Sequence, residues 1–497
     1  MRAVRPAAAL VAAGSLALGG LLAGGGLLAS AGPAAPPAAL AAGRPAAPVV
    51  LISPQARHLT SRAALAPPTT NSCEADYHIA CYQPQQIRQA YGLPALSAAG
   101  ISGQGETIVI VDSFGSPTVR HDLAVFDRAA HLPPPPSLRI IAPAGRVPGY
   151  RPTANRLGWA GETELDVEYA HAIAPGANIL LVETPTSENE GRTGFPQIVQ
   201  AETYVINHHL GAVISQSFSA TEQTFATPAR LLSLRGAYLD AARRGVTVLA
   251  ASGDSGAADV RYNGSTYYLH AVTSWPDSDP LVTGVGATQL HLSASGRQVT
   301  APTAWNDTYN AATNRYLFNG KPGPNPLASG GGRSVIFARP WYQQAVRGIV
   351  GGRRGVPDIA MSGACNGAVD MYQSFRGQAA GWYPTCGTSE ATPEFAGIVA
   401  LADQVAHRRL GLINPYLYVM SAYHARGLAD VTSGSNTVSF RQQHRLHTVR
   451  GFRAGPGYDL VTGVGTVRAR AFVTELACLA RHPARKLTRA QILACLG

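Results

Sequence analysis

The sequence predicts an α/β fold in which a mostly parallel sheet carries helices on both faces. Three observations lead there. Short, nearly continuous apolar and β-branched runs recur: "TIVIVDSF" (107–114), "NILLVET" (178–184), "AVISQSF" (212–218) and "VTVLAASGDSG" (246–256). Helix-like segments separate them. Strands buried on both faces lose the polar/apolar alternation of half-exposed strands, as these runs do. The chain of 497 residues, 46% hydrophobic and 14% charged, is ample for a large core.

In chain order, the opening segment 1–41 has Arg2 and Arg5, a long Ala/Leu/Gly run, and then small residues suited to cleavage, the order of an export signal peptide. An uncleaved anchor is the alternative for the same run, although its glycines weaken a spanning helix. Residues 42–72 are Pro/Ala-rich with no sustained period and read as a linker or short pro-segment. One folded domain is expected over 73–497. The first strand is followed by the helix-like "VRHDLAVFDRAAHL", then "LRIIAP", a helix from Trp159, the 178–184 run, a helix from Phe195, the 212–218 run, a helix near 228–244, and the 246–256 run. Residues 257–380 are richer in turns and read as an elaborated rim; 466–497 read as a helix and a stapled C-terminus. Ligands of such sheets bind beyond the carboxyl ends of the strands.

Forty Lys+Arg against 29 Asp+Glu give a net charge of +11. The arginines are scattered, and the clusters "GGRRG" (351–355) and "HRRLG" (407–411) lack interleaved aromatics, so a basic soluble surface is expected and no nucleic-acid partner. Six cysteines allow 15 connectivities. Proximity along the chain suggests Cys73 with Cys81, Cys365 with Cys386, and Cys478 with Cys495. Export would permit all three bonds. There is no C-x-x-C motif to suggest zinc.

Two segments carry candidate chemistry. "GETELDVEYAHAIAPGA" holds two carboxylate pairs at i, i+4 spacing, Glu162 with Asp166 and Glu164 with Glu168, and spacing alone does not choose between them. At ~100° per residue, Leu165, Tyr169, Ala172 and Ile173 share one side with Glu162, and Asp166 lies at its edge. Glu164 and His171 fall opposite and Glu168 between, so the second pair is expected on a solvated face. Adjacent buried carboxyls shift each other's pKa apart and are poised for proton transfer; structural acids bonded to donors are the other reading. In "CGTSEATPEFAGIVALA", Ser389 meets the start of a helix with Pro393 in its first turn, where backbone N–H groups assist an oxyanion. Thr388 or Ser389 as a plain helix cap is the competing reading. Asp254 closes a buried strand in "ASGDSG", either as a turn residue or as an acid that, protonated, donates to an oxyanion. No histidine in a "HGT" or "HGH" setting follows the first strand.

These segments, with "YQPQQIRQAYGL", "VTGVGATQL", "GVPDIAM" and "AGPGYDLVTGVGT", run in order over 82–467 and resemble the sedolisin family of serine-carboxyl peptidases. The resemblance implies a subtilisin-like fold with Ser389 as nucleophile, Glu162 as general base and acid, Asp166 orienting Glu162, and Asp254 on the oxyanion side. It also implies that Asp112 extends the acid network and that one calcium ion is held by Asp430, Val431, Gly455, Gly457 and Asp459. The hard oxygens and freely turning glycine carbonyls of that set suit calcium. Three departures from the family stand out: a short pro-segment in place of a long prodomain, Phe218 where some members carry tryptophan, and Cys386 just before "GTS". A glutamate base, with reference pKa ~4.3, still accepts protons where histidine no longer can. The function expected is therefore that of a secreted, extracellular, acid-active endopeptidase or tripeptidyl-peptidase. It would act as a monomer on protein or peptide substrates, without stable membrane association once the signal is cleaved. A silent binding protein on the same scaffold and a conventional Ser-His-Asp hydrolase are the alternatives.

Overall fold

The computed structural model describes residues 55–56 and 66–497, apart from 192 and 319. The expected signal peptide, and most of the linker, lie outside the described residues. The central sheet has eight strands: β1 (Thr107–Ser113), β2 (Leu138–Ile141), β3 (Asn178–Thr184), β4 (Val213–Gln216), β5 (Thr247–Ala251), β6 (Thr283–Gln289), β7 (Thr303–Ala304) and β8 (Ile359–Ser362). Their order is β7-β6-β5-β4-β1-β3-β2, with β8 also paired to β6. Every pairing is parallel except β6 with β7. The chain winds outward in both directions from β1, so the crevice at the carboxyl ends opens beside β1 and β4.

Period-two alternation divides each central strand between two cores. Ile108 and Ile110 of β1 join the core of α2 (Ala154–Ile173) and α5 (Thr388–Ala406), whereas Val109 and Val111 join that of α3 (Phe195–Asn207) and α4 (Gly236–Arg244). The helix α1 (Val119–Ala129) also packs on α2. Where α5 crosses α2, a Cβ on Gly397 would stand 2.6 Å from Ile173 Cβ, so only glycine lets the two site-bearing helices approach this closely. A hairpin of β9 (Ala368–Gln373) and β10 (Gly381–Cys386) leads into α5.

Several expectations are corrected. The stretch 257–380 is no mere rim, since it supplies β6, β7, β8 and β9; apart from β6 its strands are shorter than β1, and all are separated by turn-rich segments, which hides them in the sequence. The catalytic-region helix starts at Ala154 rather than Trp159, with the Thr153 side chain accepting from Arg156 N. The segment near 228–244 forms two helices, Pro228–Leu232 and Gly236–Arg244. The N-terminal arm is not wholly loose: Gln55 and Ala56 pair antiparallel with Cys386 and Thr385 of β10. A helix over Thr70–Tyr77 begins just before the expected boundary at Cys73. The three disulfides expected from proximity are formed, Cys73 with Cys81, Cys365 with Cys386, and Cys478 with Cys495.

Candidate active site

Every residue of the candidate site stands at the carboxyl edge of the sheet or on a helix beside it. β1 ends in Asp112 and Ser113, the chain leaving β4 supplies Ser217, and the chain leaving β5 supplies Asp254. Gly387 turns the chain from β10 into α5 at a φ of 132°, a conformation open to glycine. A Cβ there would stand 2.6 Å from Asp254 Oδ2. Thr388 and Ser389 follow as the first residues of α5, where backbone N–H groups have no acceptor within the helix.

Ser389 is 8% exposed, and its hydroxyl lies near enough to the Glu162 carboxyl to lower that acid's pKa. Asp254 Oδ1 accepts from Thr388 N at 2.7 Å and from Thr388 Oγ1 at 2.8 Å, while Thr388 Oγ1 accepts from Gly253 N at 3.1 Å. These bonds hold Asp254 over the first turn of α5, with Oδ2 taking neither of them. Asp166, one turn beyond Glu162 on α2, receives Ser217 Oγ on Oδ1 at 2.7 Å. Ser217 Oγ also lies 3.3 Å from the carbonyl oxygen of Ser389. That carbonyl is free because its usual helical donor, the amide of residue 393, belongs to proline. Pro393 thus lies inside α5, one turn later than expected from the sequence, and it leaves the nucleophile's carbonyl to Ser217.

Burial governs the electrostatics. It lifts the Glu162 and Asp166 carboxyls well above the usual range, with Asp112 raising both further, whereas the nearby Ser389 hydroxyl and the Ser217 bond pull the other way. Asp112 is pushed up to about 7 by burial, which the nearby Thr163 hydroxyl partly offsets. Asp254 is pushed up to about 6 by burial, against its two Thr388 bonds. The arrangement therefore offers a serine beside a carboxyl that stands among other buried acids, and a second acid that is neutral below about 6 facing the helix N-terminus.

The structure brings Glu162, Asp166, Asp254, Ser389 and Asp112 together. It corrects the second pair. Glu164, Glu168 and His171 are fully buried, not on a solvated face. Ser116 Oγ donates to Glu164, Tyr372 N donates to Glu168 at 3.1 Å, and His171 Nε2 lies 3.3 Å from Asp127 and 2.9 Å from Pro133 O. The wheel argument presumes water opposite the sheet, but α1 and the β9–β10 hairpin cover that face. The buried histidine of α2 is thereby committed away from Ser389. Sequence reasoning missed Ser217 and the role of Thr388, because the acids their hydroxyls meet, Asp166 and Asp254, stand far from them in the chain.

The expected calcium ligands converge from two loops. Asp430 Oδ2 accepts from Gly457 N at 2.9 Å, and Asp459 accepts from Gly455 N at 3.1 Å, so both carboxylates grip the same Gly-Pro-Gly turn. Asp459 also takes the amides of Val461 and Thr462, each at 2.8 Å. Two hard carboxylates beside glycine carbonyls fit a calcium ion by the chemistry of the donors.

The fold and site define a subtilisin-like scaffold whose serine is paired with carboxyls. The Subtilase family signature matches residues 158–443. Kumamolisin from Bacillus sp. (strain MN-32) is 31% identical over 393 residues, 78% of this chain and 62% of that protein. Sedolisin from Pseudomonas sp. (strain 101) is 30% identical over 312 residues, 62% of this chain and 47% of that protein. Human tripeptidyl-peptidase 1 is 29% identical over 340 residues, 64% of this chain and 52% of that protein. The aligned part thus spans about half to three-fifths of the length of these relatives. The solved structure of Pseudomonas sedolisin, a serine-carboxyl proteinase complexed with two molecules of pseudo-iodotyrostatin, superposes with a TM-score of 0.64 at 25% identity, covering 80% of this chain and 97% of that one. The chain belongs to the subtilase family, within its sedolisin group of serine-carboxyl peptidases.

Proposed function

We propose that the protein is an acid-active serine-carboxyl peptidase that hydrolyses protein or peptide substrates through a Ser389 acyl-enzyme. The observation that carries this reading is the juxtaposition of Ser389 with the buried Glu162 carboxyl, with Asp254 pinned above the N-terminus of the helix that carries the serine. Ionised Glu162 takes the Ser389 proton as Oγ attacks the scissile carbonyl and returns it to the leaving amine; water then repeats the cycle on the acyl-enzyme. Neutral Asp254 donates to the tetrahedral oxyanion together with helix N–H groups. Asp166 and Ser217 fix the position of Glu162 and of the nucleophile's backbone. The base forms when the coupled set Asp112, Glu162 and Asp166 loses its first proton, and its raised pKa makes it a stronger base once ionised. The oxyanion acid is lost as pH rises through about 6. A bell-shaped profile on the acid side follows.

Secretion accords with the three disulfides and the signal-like opening segment; among the described residues no helix is long and apolar enough to cross a membrane. Asp430 and Asp459, with the carbonyls of Val431, Gly455 and Gly457, would hold one calcium ion, which would tie the C-terminal loops together. The test is cleavage of a denatured protein at pH ~4 and ~7.5 beside Ser389→Ala and Glu162→Gln. Activity confined to acid and lost in both variants is expected. Full activity in Glu162→Gln would overturn the assignment of the base.

A further inference from the structure

We propose that the hollow at the N-terminus of α2 is a substrate subsite for a carboxylate, with Arg156 as its specificity-determining cation. This rests on the peptidase reading above and names the substrate feature that such a site selects. The hollow, about 580 Å³, is lined by Phe114, Tyr150, Arg151, Thr153, Asn155 and Arg156 among others. Arg156 is 9% exposed and its guanidinium lies 4.1 Å over the Phe114 ring. Nη2 donates to Pro148 O, but Nη1 is buried with no acceptor. A buried guanidinium nitrogen left without an acceptor is costly, and an incoming carboxylate removes that cost. Arg156 stands in the first turn of a 20-residue helix, whose end favours anions.

The hollow adjoins the reacting centre. Phe114 follows Asp112 by two residues. Asn155 and Glu162, seven residues apart on α2, share one helix face about 10 Å apart along the axis. Between them Trp159 Nε1 donates to Ser187 Oγ, which bonds to Asn155 Oδ1. An extended peptide advances ~3.3 Å per residue, so the recognised carboxylate lies roughly three residues from the scissile bond.

The groups facing Arg156 leave its charge uncancelled in acid. Glu183 of β3 interacts with the Arg156 charge, which lowers its pKa, but forms no ion pair with it among the described residues, and burial prevails and pushes that carboxyl up to about 7, so it is neutral where the enzyme works. Burial also raises the Tyr150 hydroxyl, which donates to Arg376 O, while Arg151 adds a second exposed cation. A substrate Asp or Glu, with reference pKa ~4, is ionised over much of the same range. The occupant is therefore an acidic side chain or a peptide's terminal carboxylate.

The test uses the full chain with peptide pairs differing only by Asp or Asn at each position up to four from the scissile bond, each as free acid and as amide. A charge-assisted pair predicts kcat/KM about tenfold or more in favour of Asp at one position, growing from pH ~3 to ~5. Arg156→Gln removes the preference through KM while cleavage of the Asn peptides stays within about twofold; Arg156→Lys restores part of it, and the exposed Arg151→Gln weakens it about twofold. A preference only for free acids over amides identifies the terminal carboxylate and also supports the subsite. Cleavage of all peptides without any carboxylate preference overturns the subsite and leaves the peptidase reading standing. If nothing is cleaved, anisotropy of the same labelled peptides decides: Asp binding over Asn that Arg156→Gln abolishes supports the subsite while the peptidase reading fails, and equal binding overturns the subsite.

Discussion

Asp254 sits between two opposed influences, burial that favours its neutral form and two Thr388 hydrogen bonds that favour the anion, and the balance leaves it at about 6. Only the neutral acid can donate to an oxyanion, so kcat should fall as pH rises through that value. Asparagine keeps a donor and has no proton to lose. Asp254→Asn is therefore expected to retain more activity than Asp254→Ala and to extend the alkaline limb of the kcat profile, whereas Asp254→Ala loses about 10²–10³ in kcat. An unchanged alkaline limb in Asp254→Asn would assign that limb to another group. Ser217 has a quieter part, with one hydroxyl within reach of both Asp166 and the Ser389 carbonyl. A hydroxyl has a single hydrogen. When Asp166 is protonated it can donate to Ser217, which then donates to the carbonyl that Pro393 leaves open, so the acid pair and the nucleophile's backbone are linked through one atom.

The turn from β10 into α5 concentrates the structural demands of the site. Gly387 meets Asp254 too closely for any Cβ, so Gly387→Ala should displace Asp254 and cut kcat at least about 10²-fold, with KM less affected, in parallel kinetics at acid pH. The Cys365–Cys386 bond closes a loop of separation 21 and anchors the residue just before that glycine. Replacing both cysteines with serine should cost about 3 kcal/mol of unfolding free energy by denaturant titration, the loop-closure value for this length. At this scale the sequence was informative where one period ruled. The strand runs at 107–114 and 178–184 were legible because both faces of the sheet are covered, and Ser389, Glu162, Asp166 and Asp254 were legible because each sits in a motif next to a strand end or on a helix face. The position of Glu164, Glu168 and His171 was not legible, since what covers α2 is a hairpin some two hundred residues later in the chain. Likewise β6 to β9 are hidden among turns because their burial comes from neighbours distant in sequence.

Among the described residues the buried carboxyls outnumber the buried cations available to them. Arg354 is spent on Asp358 and Arg235 on Asp279. Asp166, Glu168, Asp370, Glu390 and Glu394 are all 0% exposed, and burial lifts each well above its usual range. Glu390 and Glu394 lie one turn apart on α5 directly after the nucleophile, and among the described residues neither Glu394 oxygen has a hydrogen-bond partner. At the C-terminal end the proposed calcium ion would give the carboxylates a different remedy. Asp430 and Asp459 flank one glycine turn, so a chelator should lower Tm by several degrees and added calcium should restore it, with Asp459→Ala insensitive to both. The core acids lack a matching cation among the described residues, and the proton serves instead. Their folded pKa values lie above the unfolded values of ~4, so the folded state binds more protons than the unfolded state between the two. The stability they carry is fully present below pH ~4 and is lost as pH rises through the folded pKa, at up to ~1.4 kcal/mol per pH unit for each group titrating. Melting followed by circular dichroism with calcium held constant should therefore give a Tm about 10 °C or more higher near pH 4.5 than near pH 8. Glutamine reproduces the neutral acid, so the Glu390→Gln/Glu394→Gln variant should melt like the wild type at low pH and fall less steeply above it. A wild-type Tm that rose with pH would mean these carboxyls are ionised and paired in the folded protein, and a variant with the wild-type slope would move the liability from α5 to the other buried acids.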